Sequence, residues 1–232
     1  MKEYIKKTLL CIVPLLFAGS VLFANDIYVT QSGDTLDLDI TQDGQNNTVG
    51  NSTTSSSSVG ATTTLNIDQV GNSNVITYAI NGATYTGVIN LVGNSNNVDL
   101  NCDSTGNNSS CGTANAVINF TGSSNDIDLD IGQTSSANNA DVDIVGQSGS
   151  DSNVVAATVD GNSAILTITV NGDTNNWLID IDGNGDVNGH TLIHSHTGGI
   201  ADVDIVQSGV NDQMINLTTS GDNHDIDISQ TD

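Results

Sequence analysis

The residues with the clearest capacity for chemistry crowd into two adjoining stretches, "DIDGNGDVNG" at 180–189 and "HTLIHSH" at 190–196. Asp180, Asp182, Asn184 and Asp186 follow the spacing of the oxygen donors that open an EF-hand calcium loop, with Gly185 at the sixth position. The twelfth position needs a bidentate Glu and holds Thr191, and no helical pattern flanks the stretch. A true EF-hand is therefore not expected there, and an incidental calcium contact is only a weak candidate. His190, His194 and His196 share one face of a strand, a set that could hold zinc or copper. The plainer reading is a polar face of one repeat unit, and no metal is assigned to either set.

Aspartates alternate with apolar residues at Asp126, Asp128 and Asp130, at Asp141 and Asp143, at Asp202 and Asp204, and at Asp225 and Asp227. They read as a solvated face, with cation binding along aspartate ladders as the sharper alternative. Two carboxylates about 5 Å apart repel by about 0.8 kcal/mol in water, less after screening. Summed over several such rows, that repulsion leads us to expect divalent cations or mild acid to promote folding and assembly. Cys102 and Cys111 flank the small polar loop "DSTGNNSS". In an exported chain a local disulfide between them is the expectation, with two free thiols as the alternative. No activated nucleophile–His pair and no glycine-rich phosphate loop leading into a helix is present. Aspartate pairs recur in every unit, so none is singled out as a glycosidase dyad. The chain is read as not an enzyme, and no cofactor is assigned, calcium being the one candidate.

Composition narrows the partners. Lys2, Lys6 and Lys7 precede the apolar run "TLLCIVPLLFAGSVLFA", which has the length of a signal peptide rather than of a membrane span. Residues 1–24 are read as that signal. Cleavage after Ala24 fits, although Leu22 is large for its place, and a cut near Ser20 is the alternative. All three basic residues of the chain lie in this segment, as do its one proline, Pro14, and its one glutamate, Glu3. The remainder has aspartate as its only acid and no lysine or arginine. Nothing in it neutralises phosphate, so nucleic acid is excluded as a partner, and arginine clamps on carboxylates or phosphates are excluded too.

The elements that position these residues are repeats. In "DITQDGQNNTVG", Ile40, Gln42, Gly44, Asn47 and Val49 set out the pattern I-x-Q-x-G-x-x-N-x-apolar. It recurs at Ile67, Gln69, Gly71, Asn74 and Ile76, and at Ile131, Gln133, Ser135, Asn138 and Ala140. The frame persists without Gln at Ile89–Val98, Ile118–Ile127 and Ile168–Trp177. Trp177 thereby occupies a core slot rather than a sugar-stacking platform. Truncated copies with Gln stand at Val29-Gln31-Gly33, Val145-Gln147-Gly149 and Ile205-Gln207-Gly209, and Ile228 and Gln230 form a last half-unit. Turn positions step by about 22–24 residues, with half-steps of 13 or 14, and insertions fall near 48–63 and 101–113. The alternation of apolar and polar residues is that of strands with one buried face. In each G-x-x-N turn, Gly takes positive φ, and Asn tolerates it and bonds locally. One such pair of strands cannot bury its apolar edge alone, so the units must stack. The expectation for residues 25–232 is an all-β solenoid of strand–turn–strand units, in which glutamine stacked on glutamine forms satisfied amide ladders. At about 4.8 Å per rung, about nine rungs make a rod of about 40 Å. The absence of proline suits rungs that need every N–H.

These copies, best at Ile40–Val49, Ile67–Ile76 and Ile131–Ala140, resemble the curlin family, the secreted subunits of bacterial functional amyloid. The resemblance implies a structural subunit of an extracellular curli-like amyloid fibre, with roles in adhesion and biofilm matrix. It further implies export through the periplasm and an outer-membrane secretion pore, self-association into fibres, and a nucleator subunit as partner. The alternative from a different class is a non-polymerising acidic β-solenoid acting as a calcium-dependent adhesin or binding module.

Overall fold

Seventeen strands, and no helix, account for the regular structure of the described residues. A computed structural model describes residues 25–44, 47–50, 56–71, 73–102, 112–132, 139–161, 163–182, 190–209 and 213–231. In chain order the strands are β1 (Asn25–Ile27), β2 (Thr30–Ser32), β3 (Thr35–Asp43), β4 (Asn47–Val49), β5 (Ser56–Val70), β6 (Val75–Val92), β7 (Asn97–Cys102), β8 (Thr113–Thr121) and β9 (Asp126–Ile131). They continue as β10 (Asn139–Gly146), β11 (Val154–Asp160), β12 (Ala164–Asn171), β13 (Asn175–Asp182), β14 (His190–Thr197), β15 (Ala201–Ser208), β16 (Gln213–Ser220) and β17 (His224–Thr231). Every pairing is parallel, so the chain winds as the expected β-solenoid.

The strands stack in two columns. Column one runs β1, β4, the start of β6, β7, β9, β11, β13, β15 and β17. Column two runs β3, the end of β5, the end of β6, β8, β10, β12, β14 and β16. One corner joining them carries the G-x-x-N turns and is nearly constant. The opposite corner absorbs the variation in repeat length, from 22 residues between Ser57 and Ala79 to 29 between Thr84 and Thr113. The first expected insertion is shorter than its 48–63 bounds, because Ser56–Gly60 pairs with Tyr78–Gly82 as ladder. Of the second, Asn101, Cys102 and Thr113 are strand, and residues 103–111 lie outside the described set.

Alternation of side chains sends one row of each strand inward, and stacking turns these rows into columns of like residues. Ile40, Ile67, Ile89, Ile118, Ile144 and Ile168 form one such row, all buried. Burying each such side chain contributes about 1.5–3 kcal/mol relative to exposure. Bulk is matched between neighbours. The Phe120 ring spreads beneath Gly146, where an added Cβ would lie 2.7 Å from it. Trp177 is fully buried, in the core slot expected of it.

Candidate assembly interface: the amide spine and the two end rungs

The Asn corner is where the backbone is most constrained. Gly71 and Gly122 adopt φ of 146° and 122°. A Cβ at Gly71 would stand 1.6 Å from the Gly44 carbonyl oxygen, and one at Gly122 would stand 1.9 Å from that of Gly93. Glycine is thus required twice, for its conformation and because successive turns touch backbone to backbone. The left-handed residue that follows is not Asn, as expected, but the one before it: Ser73, Ser95, Ser124 and Ser152, with φ between 56° and 63°.

Asn is thereby freed to point inward. Asn47, Asn74, Asn96, Asn125, Asn153 and Asn175 are all buried. The backbone N–H of Asn74 donates to Asn96 Oδ1 at 3.2 Å, that of Asn96 to Asn125 Oδ1 at 3.1 Å, that of Asn125 to Asn153 Oδ1 at 3.0 Å, and that of Asn153 to Asn175 Oδ1 at 3.1 Å. Side-chain amides reinforce the row: Asn125 Nδ2 donates to Asn153 Oδ1, and Asn153 Nδ2 to Asn175 Oδ1, both at 3.0 Å. Each also holds its own turn, as Asn125 Nδ2 does by donating to the Gly122 carbonyl at 2.8 Å. Asparagine is short enough to reach the carbonyl three residues back and the next rung at once. The principal ladder is therefore made of asparagine.

Glutamine ladders exist but are two residues long. Gln69 Nε2 donates to Gln42 Oε1 at 2.6 Å, and below them the row changes to Leu91 and Phe120. Gln230 Nε2 donates to Gln207 Oε1 at 3.1 Å, in column one. The copy at Ile131 is not in register with those at Ile40 and Ile67. Ile131 lies in column one, between Cys102 and Val159, and Ile118 takes the row of Ile67 instead. Gln133 and Asn138 fall outside the described residues. The motif thus serves both corners, which accounts for the half-steps in the repeat.

The histidine face is the inward one, a correction to the polar face expected. His190, His194 and His196 are buried at 3%, 1% and 0% exposure, continuing the rows of Ala164, Ile168 and Val170. His196 Nε2 lies 2.9 Å from the Gly172 carbonyl and 3.2 Å from Asn175 Nδ2. It can donate to the first or accept from the second, but not both. The asparagine row ends here, since Ala201 and His224 take the next two slots. The His194 ring packs edge-on against Trp177 at 5.2 Å, and neither of its nitrogens has a hydrogen-bond partner. Burial, then the neighbouring His196, lowers its pKa to about 4. His196 is also lowered, by burial first.

This sets a pH dependence with a definite sign. His194 binds a proton more weakly folded than unfolded, so stability falls as pH drops from about 6.5 to about 4. The expected slope is about 1.4 kcal/mol per pH unit for this one group. Chemical denaturation from pH 7 to 4 is expected to show that loss in the unaltered chain and a shallower one in His194→Leu. Equal slopes would contradict it. The effect opposes the gain from acid expected of the aspartates, whose stacks are short. Asp99 is in register with Asp128, Asp160 with Asp182, Asp202 with Asp225 and Asp204 with Asp227, while the other neighbours of aspartates in these rows are uncharged residues such as Asn, Thr or Val. At Asp128, burial and then the carboxylates of Asp130, Asp99 and Asp126 raise the pKa.

Asp180 is exposed on β13, Asp182 ends that strand, and Asn184 and Asp186 lie outside the described residues. Among the described residues no group of three His, Cys, Asp or Glu is placed to hold a metal ion. Cys102 is buried and disulfide-bonded, and Cys111 is outside the described residues. One row escaped sequence reading: Thr35, Thr62, Thr84 and Thr113 stack in register, across spacings too irregular to align by eye.

Both ends are open. Among the described residues β3 pairs only with β5, β16 only with β14 and β17 only with β15. The inward residues of β16, Gln213, Ile215, Leu217 and Thr219, are half-buried, whereas those directly above them are buried. Ile228 on β17 is 49% exposed, although Ile205 above it is buried. No protein-family model matches this chain, and no curated protein or solved structure is significantly similar to it.

Proposed function

We propose that the chain is a structural subunit that adds end to end into an extracellular, curli-like amyloid fibre serving adhesion and biofilm matrix. The supporting observation is the pair of open end rungs. Among the described residues each presents unpaired ladder groups and half-covered core rows, the usual hazard of an edge strand turned into a working surface. The lack of lysine, arginine and proline after residue 24 removes common devices that block edges. In this reading the chain leaves a bacterial cell through the periplasm and an outer-membrane pore, and a nucleator subunit starts the fibre.

The stacked pairs Asp202–Asp225 and Asp204–Asp227 favour a second reading, a calcium-dependent adhesin that stays monomeric. One experiment separates the two. Purified protein is expected to form fibres that diffract at about 4.8 and 10 Å and that shorten the lag of fresh protein when added as seeds. A chain that stays monomeric at high concentration, with calcium and with chelator, would remove the fibre reading.

A further inference from the structure

Among the described residues the chain both begins and ends in column one. At the C-terminal end of the described residues the last strands are β16, on β14 in column two, and β17, on β15 in column one. At the N-terminal end column one carries an extra half-rung, β1 on β4 and β2 on the start of β5, while column two begins one level later at β3. Among the described residues, then, column one has nine levels and column two has eight.

The half-rung continues the rows of the far end. Through the register of each successive strand pair, Ile27 shares a row with Ile226. By the same route Thr30 shares one with Ser229, which sets Gln31 level with Gln230. Glutamine ladders here have one polarity. Gln69 Nε2 donates back to Gln42 Oε1, and Gln230 Nε2 back to Gln207 Oε1. A following Gln31 can donate back to Gln230 Oε1 in the same sense.

We infer, resting on the fibre reading and on removal of the segment before Asn25, that copies join with β17 of one molecule on the half-rung of the next. Isoleucine then meets isoleucine and glutamine meets glutamine. The joint leaves one strand position open in column two, between β16 and the next copy's β3. Thr219 and Gln42 share a row there, two strand spacings apart, about 9.6 Å. The residues facing that gap remain as exposed as they are in a single molecule. On the outer face Asp225 falls on Asp26, so the joint contains a like-charge pair.

Cysteine pairs read the joint directly. The full chain is expressed with its leader, and the N-terminus of the exported protein is sequenced. Gln31→Cys with Gln230→Cys is expected to give disulfide-linked oligomers on oxidation of fibres, since neighbouring rungs lie within bridging distance. Thr219→Cys with Gln42→Cys is expected to give none, being about 9.6 Å apart. Linkage of the second pair would show the half-rung expelled and overturn the joint, as would fibres in which neither pair links. Absence of fibres from the unaltered chain would instead sink the fibre reading itself. A second variant avoids the core. Asp26→Asn is expected to lower the monomer concentration left at plateau about fourfold at low salt, while Asp141→Asn, away from both ends, leaves it unchanged. Equal plateaus for the two would count against the joint.

Discussion

Asn153→Ala is expected to destabilise the solenoid by about 3–6 kcal/mol, a large part of the 5–15 kcal/mol typical of a whole domain. The side chain accepts from the backbone N–H and Nδ2 of Asn125, and donates to Asn175 Oδ1 and to the Ser150 carbonyl. Its removal strands several of these partners in a site closed to water, and each buried polar group without a partner costs about 1–3 kcal/mol. Asn153→Asp fares no better, since it loses both donors and places a charge beside the Asn175 carbonyl oxygen. Asn176→Ala, on the outward face of the next rung, serves as the control and is expected to stay within about 0.5 kcal/mol of the unaltered chain. A solenoid couples only neighbouring rungs, so a break at the middle of the row also divides its cooperativity. Urea unfolding followed at Trp177 and by circular dichroism is expected to coincide in the parent chain and to separate in Asn153→Ala. A loss below about 1 kcal/mol with coincident curves would show the row to be decoration.

That row also marks the limit of what could be read from the chain. Strand, turn and stacking are legible because apolar alternation and a recurring G-x-x-N fix where each side chain must go. Which ladder is long is not. The motif I-x-Q-x-G leads into the Asn corner at Gln42 and Gln69, and into the opposite corner at Gln31 and Gln207. Sequence spacing treats these as equivalent, and only the register separates them. The copy at Ile131 matches the one at Ile67 by spacing, yet it lies in the other column.

The histidines illustrate a related gap. Period two shows that His190, His194 and His196 share a face, but not whether that face is inside. The other face of β14, with Thr191, Ile193, Ser195 and Thr197, is no more apolar by inspection. Alignment on 164–171, 26 residues earlier, settles it, because the histidines then follow Ala164, Ile168 and Val170. In a repeat protein the preceding unit is better evidence of burial than the residue type.

Gly122→Ala is expected to cost more than about 4 kcal/mol, and Gly149→Ala only about 1–2 kcal/mol, although both glycines have positive φ. The difference lies in what a methyl group would meet. At Gly149, with φ of 84°, nothing stands within 4 Å of the added carbon, so only the left-handed conformation is penalised. At Gly122 the same carbon would press on the Gly93 carbonyl oxygen and on Asn94 Oδ1 at 2.9 Å. The carbonyl is backbone and cannot turn aside without opening the contact between rungs. Opening it would also pull at the bond from Gly93 N–H to the Thr121 carbonyl, 2.9 Å, and at Asn125, which is anchored to Gly122 itself. Paired denaturation curves of the two variants therefore separate backbone conformation from rung contact. Similar losses for both would mean that turns tolerate looser stacking than their geometry suggests, and the Asn corner would no longer be the part of the molecule that sets the rise between rungs.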